Sequence, residues 1–144
     1  MNSKERIQAT LEHREPDKVA MDLGGTSVTG IAASAVHDLK EVLGVCGTDE
    51  RTKVVDPFQM LGEVTDALRD ELGVDTQPVS GPHNFFGFKN EDWKPWLLFD
   101  GTPVLVPGKF NTEPDEDGDI YQYPQGDRSV DPCAKMPRDG YYFD

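Results

Sequence analysis

A glycine-rich loop beside a carboxylate is the part of this sequence best suited to chemistry. Residues 24–30 read Gly-Gly-Thr-Ser-Val-Thr-Gly, and they follow an apolar run, residues 19–23, that contains Asp22. A strand that ends in a glycine loop before a helix is where α/β proteins usually place their pockets. A purely structural turn is the alternative. A nucleotide site is disfavoured because the loop lacks the Lys-Ser/Thr of a P-loop and the dinucleotide-binding spacing. The residues predicted to line the pocket are Gly24, Gly25, Thr26, Thr29 and Gly30.

Asp22, Asp75 and His83 are the other candidate site residues. Asp22 and Asp75 lie in or at the end of predicted strands, 19–23 and 74–79, and parallel strands would direct both carboxylates to one rim. A helix cap or a hydrogen bond within a loop is the alternative for each. His83 follows in a loop rich in Gly and Pro, where a polar surface residue is the alternative to a ligand contact.

The elements that must position these residues alternate in the first half of the chain. Asn2 and Glu5 form a capping-box pattern for a short helix, which Pro16 ends. Further helices are predicted over residues 31–43 and from Asp56 to about residue 72, the latter because Asp-Pro-Phe-Gln is a strong helix start. With strands at 19–23, 53–55 and 74–79, this order predicts parallel pairing and an α/β fold.

The second half has a different character. After a long loop, residues 80–95, apolar runs at 96–99 and 102–106 flank Asp100-Gly101, a strong hairpin signal. A second hairpin is predicted from 109–113 and 119–123. The acidic stretch between them, 115–119, lacks the spacing of an EF-hand loop and is predicted to be a solvated turn. The sequence thus divides into a βα part, residues 1–80, and an antiparallel β-meander, residues 81–144.

Charge and cysteine content restrict the possible partners. The net charge of −13 disfavours binding to nucleic acid or to a membrane surface. The chain has no run of eighteen apolar residues and no signal-peptide pattern, so we expect a cytoplasmic protein. Cys46 and Cys133 are far apart and the histidines are scattered, so we predict free thiols and no metal site within this chain.

Several motifs resemble the uroporphyrinogen decarboxylase superfamily. Ser3-Lys-Glu-Arg-Ile and Leu11-Glu-His-Arg-Glu-Pro-Asp-Lys-Val are similar to the opening of that family's proteins. Three other motifs resemble its decarboxylase-like or corrinoid methyltransferase-like branch. These are Asp22-Leu-Gly-Gly-Thr with Thr29-Gly-Ile, Trp93-Lys-Pro-Trp, and Asp100-Gly-Thr-Pro-Val.

The resemblance implies a (β/α)8 barrel with its pocket at the C-terminal rim. The decarboxylases remove acetate carboxyls from a tetrapyrrole without a cofactor. Their relatives move methyl groups between a corrinoid protein and a thiol or folate, often with zinc held by ligands that this chain does not contain. The paired arginines that bind substrate carboxylates in the decarboxylases are absent, since residues 24–30 stand in their place. Asp75 loosely matches the family's carboxylate on the second main strand and is therefore the candidate catalytic group.

Length points to part of a barrel. Such a barrel takes about 250 residues, whereas this chain has 144. We therefore expect the N-terminal portion of a corrinoid-dependent methyltransferase, inactive alone, that forms a homo-oligomer or binds a partner carrying the rest of the barrel. The alternatives are tetrapyrrole decarboxylation and a non-catalytic assembly module.

Overall fold

The computed structural model describes residues 1–45 and 51–144 as a small mixed α/β domain. The prediction for Cys46 lies outside the described residues, whereas Cys133 is a free, exposed thiol. None of the described helices is long and apolar enough to cross a membrane. The helices are α1 Ser3–Leu11, α2 Ala33–Leu43 and α3 Asp66–Leu72. The strands are β1 Thr52–Asp56, β2 Leu61–Gly62, β3 Lys94–Leu97, β4 Pro103–Val106, β5 Ile120–Gln122 and β6 Ala134–Met136.

Four strands form a mixed sheet in the order β2-β1-β4-β3. β3 and β4 pair antiparallel with Trp96 opposite Val104, so the hairpin predicted around Asp100-Gly101 is confirmed. β1 runs parallel to β4, with Thr52 opposite Val104. Parallel strands need a long connection, and here it runs from residue 57 to residue 102. The sheet therefore joins the first half of the chain to the second.

The predicted strands at 19–23 and 74–79 are wrong, because neither segment belongs to a sheet. The two segments nevertheless lie side by side. The backbone N–H of Asp75 donates to the Met21 carbonyl at 2.8 Å, and the Met21 N–H donates to the Asp75 carboxylate at 3.0 Å. A side chain thus supplies the acceptor that a second strand would provide, and the apolar residues Val19 and Val79 remain exposed. Parallel pairing within the first half is not formed among the described residues.

The helix predicted from Asp56 is also wrong over its first half. The Asp56 carboxylate accepts hydrogen bonds from the N–H groups of Phe58 and Gln59, as a helix cap would. The backbone of Met60 then takes φ +57°, and the chain reverses into β2, which pairs with β1. Gly62 permits α2 to pack against this reversal, since a Cβ there would lie 2.9 Å from the Ala33 Cα.

The second predicted hairpin forms with a different partner. β5 pairs with β6 rather than with residues 109–113, placing Ile120 opposite Met136. Asn111 instead forms a side-chain bridge to the buried Gln122. The Asn111 N–H donates to Gln122 Oε1 at 2.9 Å, and Gln122 Nε2 donates to the Asn111 carbonyl at 2.8 Å. The acidic stretch 115–119 is a turn, as predicted, with the Asp115 carboxylate accepting from two backbone N–H groups.

Two apolar clusters hold these elements together. The larger contains side chains from both sides of residue 80, including Ala33 and Val54 from the first part and Phe88 and Phe110 from the second. The smaller consists of Val36, Val64 and Leu68 and joins α2 to α3. The glycine loop therefore rests against a helix pair that the larger core anchors to the sheet.

Candidate functional site

A cleft of about 830 Å³ lies between the glycine loop, the carboxyl end of β1, the start of α3 and the segment 78–90. This volume is within the range of small-molecule sites. Five of the predicted site residues line it: Gly24, Gly25, Thr26, Gly30 and His83. Sequence reasoning did not identify the charged residues that complete the lining, which are Lys53, Asp56, Glu63, Asp66 and Arg69.

The glycine loop is closed on itself by its own hydrogen bonds. The Gly24 N–H donates to the Thr29 carbonyl at 2.9 Å, and the Thr26 N–H donates to Thr29 Oγ1 at 3.2 Å. Gly24 has φ +75°, and a Cβ there would lie 2.8 Å from Val64 Cγ2. Thr29, which was predicted to line the pocket, is not among the lining residues, because its carbonyl and hydroxyl are used to close the loop. Gly24 and Thr26 line the cleft.

Asp22 supports the loop and is not among the residues that line the cleft. Its Oδ1 accepts hydrogen bonds from Thr76 Oγ1 at 2.5 Å and from the Gly25 N–H at 3.1 Å. The Thr76 hydroxyl, and with it Thr29 and the Gly25 amide, lower the pKa of Asp22 despite partial burial. The carboxylate therefore stays ionised. Its hydrogen bonds connect the glycine loop to segment 74–76.

Asp75, the candidate catalytic group, lies outside the cleft lining. Its side chain is 1% exposed and forms an ion pair with the guanidinium of Arg6, which lies on α1. Burial alone would raise the pKa of Asp75, but hydrogen bonds from the Met21 amide, Ser3 and Arg6 lower it. A buried, fully paired carboxylate of this kind joins segments of the chain and presents no free oxygen to a substrate.

The charges that line the cleft largely cancel in pairs. Lys53 Nζ lies 4.0 Å from Glu63 Oε2. Arg69 forms an ion pair with Asp66 and donates to the Val64 carbonyl. Asp56 forms no ion pair within residues 1–45 and 51–144, so one lining carboxylate is left without a cation.

An exposed aromatic ring, that of Phe85, lines the cleft on a segment that is hydrogen-bonded to the residue before Asp56. The Asn90 side chain donates to the Val55 carbonyl at 2.7 Å and accepts from the Asn84 side chain at 2.9 Å. These bonds fix the segment that carries Phe85, whose ring lies 4.4 Å from that of Phe58, centroid to centroid. Phe85 lines the cleft and is 75% exposed. The sequence offers a signal for this exposed ring, because two adjacent phenylalanines, Phe85 and Phe86, lie in an otherwise polar loop.

Neither a group of metal-binding side chains nor a similarity to known proteins assigns a function to the cleft. Within residues 1–45 and 51–144, no group of three or more His, Cys, Asp or Glu side chains could hold a metal ion. The zinc that the family resemblance implies therefore has no fitting site in the described part of the chain. No protein-family model, curated protein or solved structure matches this chain.

Proposed function

We propose that this chain is the N-terminal region of a decarboxylase-like, corrinoid-dependent methyltransferase with a (β/α)8 barrel, and that the cleft is its share of the substrate site. One observation carries the proposal. The loop 24–30, part of the motif that resembles this family, lines the cleft together with His83. The chain's part is to bind and orient a small substrate within the cleft and to receive the corrinoid at the cleft opening. The corrinoid, carried by a partner protein, would supply the methyl chemistry, and no step is assigned to zinc.

The charge of the cleft supports methyl transfer over tetrapyrrole decarboxylation. A tetrapyrrole with many carboxylates needs free cationic groups, and the two lining cations, Lys53 and Arg69, already lie beside Glu63 and Asp66. A third carboxylate, Asp56, adds repulsion. The decarboxylase alternative would therefore require unpaired arginines, and the one arginine among the described lining residues, Arg69, is paired with Asp66.

Binding of methylcobalamin tests the proposal. Equilibrium dialysis of the full chain should show retention of methylcobalamin and little retention of uroporphyrin, a stable tetrapyrrole polycarboxylate. Thr26→Tyr should reduce retention several-fold because the larger ring enters the cleft. Thr10→Tyr, at an exposed position on α1, is the matched control. Preferential binding of uroporphyrin would favour the decarboxylase, and binding of neither would contradict both enzyme proposals.

A non-catalytic assembly module is the second candidate, since two apolar side chains on segments that line the cleft, the glycine loop and segment 78–90, face solvent. Val28 is 90% exposed and Val79 is 97% exposed. An exposed apolar patch marks an interaction site when it is contiguous, so this candidate requires a partner that covers the two valines together. Sedimentation velocity should then show self-association that a Val28→Ser, Val79→Ser double variant removes, whereas a wild-type monomer at all concentrations would count against homo-oligomeric assembly.

A further inference from the structure

We propose that the side of the cleft lined by Asp56 and Phe85 binds an organic cation, a tertiary or quaternary ammonium group. The inference rests on the cleft being the substrate site of the proposed function and names the class of substrate. It is carried by three features of the described residues: the charge balance of the cleft, the exposed aromatic ring, and the hydrogen bonds that hold the two together.

The charge balance favours a single positive charge. Three carboxylates and two cations line the cleft, and the two cations lie beside Glu63 and Asp66. Asp56 remains, with Oδ1 accepting the N–H groups of Phe58 and Gln59 at 3.1 and 3.0 Å. These bonds orient the carboxylate and leave Oδ2 for a ligand. The protein's net charge of −13 attracts cations to the cleft and repels anions.

The aromatic ring selects an alkylated cation over a bare metal ion. Phe85 exposes its ring to the cleft, and the face of such a ring attracts a cation within about 6 Å. Alkylated ammonium groups have no N–H, or only one, so they lose little hydration at an apolar surface. A metal ion would need several oxygen ligands, and the described residues offer no such group.

Hydrogen bonds and ring packing hold Asp56 and Phe85 in place without a ligand. Asn84 and Asn90 connect the Phe85 segment to the Val55 carbonyl, one residue before Asp56. Phe58, whose N–H binds the Asp56 carboxylate, packs its ring against Phe85. The carboxylate and the ring therefore belong to one connected unit, which reduces the entropy lost on binding.

Titration of the full chain with tetramethylammonium tests this inference. Backbone amide NMR shifts should change at Asp56 and Phe85 on titration. The neutral molecule of similar shape, tert-butanol, should bind at least about threefold more weakly, and acetate should not bind. Asp56→Asn keeps the acceptor for the two N–H groups but removes the charge, and Phe85→Leu removes the ring. Each should weaken tetramethylammonium binding about threefold or more, and the effect of the charge should diminish with added salt.

Two matched variants control for nonspecific effects. Asp100→Asn changes an aspartate that also caps a turn, by accepting the Thr102 N–H at 2.9 Å, and it lies outside the cleft. Tyr142→Leu removes an exposed aromatic ring elsewhere. Neither should alter binding. Equal binding of tert-butanol, binding of acetate, or insensitivity to Asp56→Asn and Phe85→Leu would overturn the inference.

The same samples separate this inference from the proposed function. Methylcobalamin retained by a chain that does not bind tetramethylammonium would refute the organic cation and leave the methyltransferase proposal standing. Tetramethylammonium binding that depends on Asp56 and Phe85, in a chain that retains no methylcobalamin, would refute the methyltransferase and leave the cation site standing.

Discussion

Arg6 connects three stretches that are far apart in the sequence. Its Nε donates to Asp17 at 2.8 Å, another of its nitrogens pairs with Asp75, and a third donates to the Met1 carbonyl at 2.8 Å. The guanidinium is buried, and a buried charge is tolerated only when it is paired and hydrogen-bonded. Arg6 therefore holds α1, the connector that contains Asp17, and the segment beside the glycine loop in one arrangement.

This cluster predicts that stability falls in acid. The hydrogen bond from Arg6, with that from the chain's amino group, holds the pKa of Asp17 well below its usual value, and the pKa of Asp75 is also lowered. Lowered carboxyl pKa values stabilise the fold above the unfolded pKa, near 3.8, and this stabilisation is lost as the pH falls below it.

Urea unfolding of wild type and Arg6→Met from pH 7 down to pH 3 checks this prediction. Arg6→Met should be less stable at pH 7 because it leaves Asp75 buried without its cation. The difference between the two proteins should shrink below about pH 4 as the carboxylates are protonated. The control is Arg14→Met, whose exposed pair with Glu12 should contribute little. A difference that is constant with pH would contradict the role assigned to Arg6.

Residues that line the cleft can be predicted where the signal is local. The sequence predicts a pocket at the glycine loop, and most of residues 24–30 line the cleft, because glycines and hydroxyls in a short loop act through neighbouring backbone. The role of Asp75 depended on a partner 69 residues away. No local pattern could distinguish a free catalytic carboxylate from one paired with Arg6.

At the scale of elements, the start of α3 contributes its N-cap and first turn to the lining of the cleft. Thr65 is the N-cap of this helix, and its Oγ1 accepts the Leu68 N–H at 3.4 Å. Both Thr65 and Arg69 line the cleft. The cap thus places the first turn of α3, and with it the Arg69–Asp66 pair, at the cleft wall.

Thr65→Ala should destabilise the protein by about 1 kcal/mol, because the Leu68 N–H loses its acceptor. Thr65→Ser, which keeps the hydroxyl, should cost less. Chemical denaturation measures both values, and the wild-type slope against denaturant concentration should be retained. Equal losses in the two variants would show that the methyl group of Thr65, rather than its hydroxyl, stabilises this region.

Capping patterns in the sequence correctly predict the start of α1, but they place the start of α3 at Asp56, ten residues before its first residue, Asp66. Asn2 and Glu5 form the predicted capping box. Asp56 makes equally good bonds to the following N–H groups, but the left-handed backbone at Met60 and the pairing of β2 with β1 stop the helix. A cap stabilises the first turn by a small amount, whereas strand pairing and the packing of α2 against Gly62 involve the whole core, so tertiary contacts decided the outcome.

At the scale of the whole molecule, the parallel pair β1–β4 could not be read from local patterns. Its strands are separated by more than forty residues, and the sequence between them contains β2, α3, a long loop and β3. The pattern correctly predicted mixed helices and strands. The composition changes at residue 80, which lies in the connection between α3 and β3. This change does not separate two cores, because the larger apolar cluster contains residues from both sides of residue 80.

Phe143 allows a test of whether the two parts unfold together. Its ring is buried and packs edge-on against Phe86 and Phe110, at centroid distances of 5.5 and 5.7 Å, and its N–H donates to the Phe58 carbonyl. Phe143→Ala should destabilise the protein by about 3–5 kcal/mol through the lost contacts and the cavity that remains. Tyr142→Ala, which changes an exposed ring, should cost little.

Two signals report separately on the two parts. The described α-helices lie within residues 3–72, so the far-ultraviolet circular dichroism of helix reports on the first part. Trp93 and Trp96, the two tryptophans of the chain, report by fluorescence on the second. Because Ala33 and Val54 share a core with Phe143, we expect one unfolding midpoint from both signals, shifted equally by Phe143→Ala. A shift in tryptophan fluorescence alone would mean that residues 1–80 fold independently, and the cleft, whose lining comes from both sides of residue 80, would then lie between two separate units.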